Sequence, residues 1–227
     1  MTDTPSARAL AFDLDGTLVD SAPDIEHALN QALAEAGLPG FALAQVRAWI
    51  GDGPDLLIER ALVALGLADR LPLRRALREG FDRATLAAPL AHGFVYDGIA
   101  ELLQQLRPRW PLVVITNKPT PLARAVLDAA ALLPHFHAVY GADTPALRKP
   151  APGMLQNAAQ SLGLRTAQLL MVGDSKADLG AAAAAGSPVA WAGWGYGRAD
   201  DVPQTVRWRI AHPRELPALL AAGPQPR

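Results

Sequence analysis

Two carboxylates two residues apart, Asp13 and Asp15, stand where a short apolar run ends, in the segment Asp13-Leu14-Asp15-Gly16-Thr17. If that run is a strand, side chains two apart project to one side of it, and Gly16 lets the chain leave sharply. Taken alone, an Asp-Gly pair reads as an ordinary turn with a capping side chain. Three later segments have the same ambiguity: Thr116-Asn117-Lys118-Pro119 after a second apolar run, Arg148-Lys149-Pro150 in a loop, and Gly173-Asp174-Ser175-Lys176-Ala177-Asp178 after a third run. Singly, Thr116, Asn117, Asp174 or Ser175 reads as a helix cap, and Lys149 as a solvated loop lysine.

The combination points elsewhere. If the runs are neighbouring strands of one sheet, Asp13, Asp15, Asp174 and Asp178 meet Thr116 and Lys149 along one edge. Two carboxylates about 4 Å apart repel by roughly 4 kcal/mol at an effective dielectric near 20, so such a cluster needs a counter-charge. An oxygen-only donor set without His or Cys suits a hard divalent ion, Mg²⁺ rather than zinc. Phosphoryl transfer needs an in-line nucleophile, a proton donor for the leaving oxygen and fixed positive charge around the remaining oxygens. Asp13 is the expected nucleophile and Asp15 the acid that later activates water. Lys149, the Thr116 hydroxyl and backbone N–H groups near Asn117 and Gly16 are expected to hold the phosphate.

The elements that position these residues follow from hydrophobic patterning. Residues 9–12, 112–115, 169–172 and 188–191 are continuous apolar runs, as in strands covered on both faces, and 138–140 is a weaker one. Helical spacing lies between them: Ile99, Leu102, Leu103 and Leu106, then Leu122, Ala125, Val126 and Ala129. The alanine run 181–185 also reads as helix. From Asp97 onward this alternation predicts an α/β fold with a doubly wound parallel sheet. Between Val19 and Ala91 only helical periodicity occurs, in Ile25, Ala28, Leu29, Ala32, Leu33 and Ala36, then Leu57, Ala61, Leu62 and Leu65. The expected division is therefore a core of 1–18 and 92–227 with a helical cap domain, 19–91, over the crevice at the strand ends.

Composition limits the partners. Twenty-one Lys plus Arg against 22 Asp plus Glu leave a net charge of -1, so no global field favours nucleic acid or an anionic membrane. Cysteine is absent, which removes thiolate chemistry and Cys-ligated zinc and is compatible with a reducing compartment. The first residues do not resemble a secretory signal, no run approaches the roughly 20 apolar residues of a membrane span, and a cytoplasmic place is expected. The tail 223–227 is expected to fray.

The four segments, in order, resemble the motifs of the haloacid dehalogenase-like hydrolases: Asp13-Leu14-Asp15-Gly16-Thr17, Thr116-Asn117, Lys149-Pro150, and Gly173-Asp174-Ser175 with Asp178. The resemblance implies a Rossmann-like core with an inserted helical cap. It also implies Mg²⁺ held by the Asp13 carboxylate, the Asp15 carbonyl and Asp174, with Asp178 supporting the site from nearby. Within that superfamily the chain is most similar to the bacterial phosphoglycolate phosphatase family, through Leu18-Val19-Asp20-Ser21, Trp49-Ile50-Gly51-Asp52-Gly53, Glu59-Arg60-Ala61-Leu62, Asn117-Lys118-Pro119-Thr120 and Gly195-Tyr196-Gly197. It departs from the usual pattern at Asp52 and at Lys176-Ala177. This resemblance implies hydrolysis of a small phosphorylated metabolite, 2-phosphoglycolate first, with an aspartyl-phosphate intermediate. Gly51, Asp52 and Gly53 are then substrate contacts from the cap, although Gly-x-Gly alone is an ordinary turn.

Other chemistries fit less of the pattern. The lysines are Lys118, Lys149 and Lys176, all outside the expected cap, so a cap Schiff base is not expected. Asp15 favours ester cleavage over dehalogenation. A phosphatase or phosphomutase for sugar phosphates or phosphorylated amino sugars shares the core motifs. A phospho-accepting receiver domain has similar residues in a different order, and a non-catalytic descendant of the fold is not called for by the intact acidic positions. Arg47 and Arg60 read as exposed helix arginines or as contacts to a substrate carboxylate, and Trp191, Trp194 and Tyr196 as core or as a wall of the site. The five histidines show no metal-ligand spacing.

Overall fold

The computed structural model describes residues 7–221; the tail 223–227 lies outside them. Strands β1 (Ala9–Phe12), β2 (Val19–Asp20), β3 (Phe94–Val95), β4 (Leu112–Thr116), β5 (Ala138–Gly141), β6 (Leu169–Gly173), β7 (Val189–Ala192) and β8 (Trp208–Ile210) alternate with helices. These are α1 (Ala22–Glu35), α2 (Leu43–Arg47), α3 (Pro54–Ala64), α4 (Leu71–Ala87), α5 (Ile99–Leu106), α6 (Thr120–Ala129), α7 (Gly153–Ser161), α8 (Lys176–Ala185) and α9 (Leu216–Ala221). Six strands form one sheet in the order β5-β4-β1-β6-β7-β8, and every pair in it is parallel.

The expected doubly wound sheet is therefore present, and its continuous apolar strands explain how it is covered. Side chains of β1, β4 and β6 alternate between two cores. Leu10, Phe12, Leu112, Val114, Leu170 and Val172 pack with α5 and α6 on one face, while Ala9, Ala11, Val113, Ile115, Leu169 and Met171 pack with α7 and α8 on the other. β1 lies between β4 and β6, so successive units leave it to either side and open a crevice at the carboxyl ends of these three strands. That edge carries Asp13, Thr116 and Asp174.

Helices α1 to α4 fill the segment between β2 and β3 and share a core of their own, with Ile25, Leu29, Leu33, Leu57, Ile58, Leu62, Leu77 and Phe81 buried; Leu122 of α6 joins it from the sheet side. Two short strands make the neck, β2 and β3 pairing antiparallel with Val19 opposite Val95. Asp24, near the start of α1, accepts the backbone N–H groups of Ala91 (2.7 Å), His92 (2.8 Å) and Gly93 (2.8 Å) and ties the returning chain to the outgoing one. Among the described residues no helix is long and apolar enough to cross a membrane.

Candidate active site

Asp13 follows β1 and is buried. Its Oδ1 accepts the Leu14 N–H at 2.7 Å and lies 2.8 Å from Lys149 Nζ, while Oδ2 accepts no hydrogen bond among the described residues. One oxygen is thus fixed and the other left for chemistry. Lys149, only 1% exposed, also donates to the Ile115 carbonyl at 2.9 Å and to Asp178 Oδ1 at 2.6 Å. Its ammonium is directed at protein oxygens, so its first task is to hold Asp13 and Asp178; a phosphate oxygen must share it.

Asp174 and Asp178 arrive from the end of β6 and the first turn of α8. Ser175 caps α8 in a capping box with Asp178, whose Oδ2 accepts from the Ser175 N–H (2.9 Å) and hydroxyl (2.6 Å). Ser175 thus caps the helix, and the same bonds that start it aim Asp178 at Lys149. Asp174 Oδ1 accepts from the Thr17 hydroxyl at 2.8 Å, and Oδ2 from the N–H groups of Tyr196 (2.7 Å) and Gly197 (3.2 Å).

Asp13, Asp174 and Asp178 each offer an oxygen within 4.8 Å of the others, with one lysine among them. Burial raises the Asp13 carboxyl to about 8, helped by the charges of Asp178 and Asp174 and only partly opposed by Lys149. Burial and Asp178 likewise raise Asp174 to about 6. Burial works against the charged form of Lys149, yet Asp13 and Asp178 outweigh it and hold the ammonium above its ordinary range. Negative charge is therefore in excess, and an all-oxygen donor set in excess negative charge fits a hard divalent cation.

Asp15 projects toward other partners: its carboxylate accepts from Ser21 Oγ and from Lys118 Nζ at 2.7 and 2.9 Å. Gly16 is required for close packing, because a Cβ there would lie 2.7 Å from Asp174 Oδ2 at a φ of +90°. Its N–H closes the turn on the Val19 carbonyl at 2.9 Å. Thr116 Oγ1 accepts the Lys118 N–H at 3.2 Å, which leaves its hydroxyl proton for a ligand.

The Asn117 side chain links two loops. The amide oxygen accepts the Lys149 N–H at 2.7 Å, and the amide nitrogen donates to the carbonyls of Lys149 (3.1 Å) and Gly51 (2.9 Å). It joins the loop of Lys149 to the loop between α2 and α3. Gly53 lies beside it, where a Cβ at φ +84° would approach the Asn117 carbonyl to 2.7 Å. Gly51 and Gly53 line the cavity over Asp13, whereas Asp52 pairs with Arg60 and lines a neighbouring cleft that Asp15, Gly51 and Asp174 also line.

The cavity is small, about 40 Å³ in volume. Asp13, Asp15, Thr116, Asn117 and Lys118 form its polar floor; Ile25, Ile50, Pro54, Leu57 and Phe81 of the helical segment form an apolar roof. Two residues here have roles that spacing did not assign. Lys118 is 5% exposed on Asp15, and Tyr196 ties Asp174 to the neck, its hydroxyl donating to Asp20 at 2.9 Å and accepting the Ala22 N–H at 3.0 Å. Arg47 stacks over the Tyr196 ring, 4.8 Å from its centroid, and Trp191 and Trp194 donate to the carbonyls of Asp174 and Thr17, both at 3.0 Å. The only available sequence signals were the Lys in Asn117-Lys118-Pro119 and the aromatic between Gly195 and Gly197.

A parallel sheet with this carboxylate and lysine set at its switch point defines a hydrolase of a particular kind, and residues 7–186 match the family model described as haloacid dehalogenase-like hydrolase. The chain belongs to that family. It is 39% identical over 197 residues to a phosphoglycolate phosphatase of Yersinia pseudotuberculosis, covering 86% of this chain and 85% of that one. It is 38% identical over 217 residues to the phosphoglycolate phosphatase of Escherichia coli K12, covering 87% and 86%. The crystal structure of a predicted phosphoglycolate phosphatase from Haemophilus somnus superposes with a TM-score of 0.85 at 28% identity, over 94% of this chain and 98% of the other.

Proposed function

We propose that the protein is a magnesium-dependent phosphomonoesterase acting through an aspartyl-phosphate intermediate, with 2-phosphoglycolate as its substrate. The observation that carries this reading is Asp13: one oxygen is pinned by Leu14 and Lys149 and the other is unbonded in a cavity roofed by the helical segment. Support for the substrate comes from the relatives of that name and from a cavity small enough for a two-carbon ester. Residues 19–91 act as a cap that supplies the roof.

Asp13 Oδ2 attacks phosphorus, the bond to the ester oxygen breaks, and Asp15 delivers a proton to the departing oxygen. A water then attacks the aspartyl phosphate while Asp15 takes its proton, releasing phosphate and restoring Asp13. The Thr116 hydroxyl and a shared proton of Lys149 stabilise the charge on the phosphoryl oxygens. Asp13, Asp174 and the Asp15 carbonyl are the groups that hold Mg²⁺, which supplies positive charge against the phosphoryl oxygens and the crowded carboxylates. Asp178 acts through Lys149. Ser21 and Lys118 hold Asp15, and the roof excludes bulk water.

The test is phosphate release with Mg²⁺ from a panel of 2-phosphoglycolate, sugar phosphates, phosphorylated amino sugars and an aryl phosphate. Turnover of 2-phosphoglycolate well above the others supports the reading. Equal turnover of the aryl phosphate overturns the substrate, a preference for a sugar phosphate favours the alternative ester class, and no release from any ester overturns the phosphatase.

A further inference from the structure

The mechanism above uses one ammonium group on the phosphate side and gives the second only the task of holding Asp15. Lys118 is buried to 5% exposure, lines the cavity, and places Nζ 2.7 and 2.9 Å from the two oxygens of Asp15. Lys149 lies against Asp13 and Asp178, so the two lysines are divided between the two carboxylates of the first loop. In the order in which a phosphate ester would meet them, Asp13 faces phosphorus, Asp15 the ester oxygen, and Lys118 whatever lies one group further on. Around that position the cavity offers aliphatic and aromatic side chains from Ile25, Ile50, Leu57 and Phe81. A second anion placed against such a wall without a partner would be strongly penalised, and Lys118 is the lysine that meets it.

Resting on the phosphatase reading, we propose that Lys118 is the receptor for a carboxylate carried one carbon from the ester oxygen, and that Asp15 occupies it only until such a substrate arrives. The substrate's carboxylate replaces the Asp15 carboxylate on Nζ. Asp15 keeps its bond to Ser21 and becomes free to turn to the ester oxygen. Recognition and readiness for catalysis are thereby coupled: a phosphate ester lacking the second anion fits the roof but leaves Asp15 held by Lys118. Discrimination then falls on kcat as well as on KM, because a substrate without the carboxylate binds a site whose acid is still engaged.

The experiment compares 2-phosphoglycolate with ethyl phosphate, which has the same two carbons and no carboxylate, on wild type, Lys118→Met and Lys118→Arg with Mg²⁺ present. Wild type is expected to favour 2-phosphoglycolate by about 100-fold or more in kcat/KM, partly through kcat, since a site built for a polar group rejects the analogue lacking it. In Lys118→Met the preference shrinks to within about threefold, because turnover of 2-phosphoglycolate falls far more than that of ethyl phosphate. Lys118→Arg keeps the preference. A wild-type kcat ratio below about threefold overturns the proposal without any variant. Equal losses on both esters in Lys118→Met, with an unchanged unfolding temperature, overturn it too, by showing a merely structural lysine. Wild type that hydrolyses neither ester removes the phosphatase reading itself, whereas hydrolysis of both without discrimination removes only the role of Lys118.

Discussion

Lys149 Nζ lies 2.6 Å from Asp178 Oδ1, and neither side chain reaches solvent beyond 1% of its surface. Asp178 lies far from Asp13 in sequence, with strands β2 to β6 between them, yet through this pair it determines where the ammonium beside Asp13 is held. Breaking one side of a buried pair leaves the other uncompensated, at a cost of about 3–5 kcal/mol. Asp178→Asn is therefore expected to lower stability by that order and to reduce kcat. Thermal unfolding and steady-state kinetics on the same preparation check it; wild-type stability would show the pair to be dispensable.

Replacing the ammonium is expected to affect chemistry more than binding. Lys149→Met removes the group that fixes Asp13 Oδ1 and the positive charge next to the developing phosphoryl charge, so kcat falls by about 100-fold or more. Steady-state kinetics with saturating Mg²⁺ give the number, and a KM effect with kcat intact would contradict the assignment.

The carboxyl shifts fix the sign of a pH effect. Asp13 is raised to about 8 and Asp174 to about 6 from an ordinary 3.8. A carboxyl whose folded pKa exceeds its unfolded one binds more protons folded than unfolded between the two values, so its contribution is complete below the unfolded pKa and is lost as pH rises through the folded one. Metal-free protein is expected to lose stability from about pH 4 to about pH 8. Mg²⁺ binds the ionised carboxylates, so the stabilisation it confers grows over the same window. Unfolding temperatures with and without Mg²⁺ across that range check this; a metal effect independent of pH contradicts it.

Tyr196 connects the acidic cluster to the neck through Asp20 and the Ala22 N–H. Tyr196→Phe keeps the ring under Arg47, leaves the Ala22 N–H only its 3.3 Å bond to Asp20 Oδ1, and removes the hydroxyl's bond to the Asp20 carboxylate, a hydrogen bond to a charged group worth about 1.5–3 kcal/mol. Urea unfolding measures it, with no change in midpoint as the contrary result.

Gly53→Ala tests how the roof seats. The added methyl meets the Asn117 carbonyl at a backbone angle reserved for glycine, and strain of about 1–3 kcal/mol is expected to displace the loop from Asn117. A drop in kcat of about tenfold or more follows if this seating belongs to the active state. Gly51→Ala, with nothing within 4 Å of its Cβ, also has positive φ and shares the backbone strain, so the difference between the two isolates the clash.

The parts of the fold visible in the sequence are those where one physical signal dominates. Strands β1, β4, β6 and β7 show as unbroken apolar runs because both faces are covered, and β5 shows weakly because it is an edge. The other edge, β8, is missed since Arg209 interrupts it. Helix α4 is also missed, its apolar stripe of Leu77, Phe81 and Ala84 lying among arginines and acids that pair with one another and with neighbouring residues. At the site, Asp13, Asp174 and Lys149 are legible from their places at strand ends and loops. The partners that set their geometry are not: Lys118 on Asp15, Tyr196 on Asp174 and Asn117 on Gly51 are contacts across 103, 22 and 66 residues, and only the fold brings them together.

Asp13 as a covalent carrier is the claim on which the mechanism depends, and acid-quenched turnover tests it most directly. Mass analysis of the quenched protein, digested and sequenced, is expected to find a phosphoryl group on the peptide at Asp13, lost on treatment with hydroxylamine and absent from Asp13→Asn, which folds but does not turn over. Steady hydrolysis by wild type with Asp13 unmodified under every quench, or turnover by Asp13→Asn at the wild-type rate, would contradict the account.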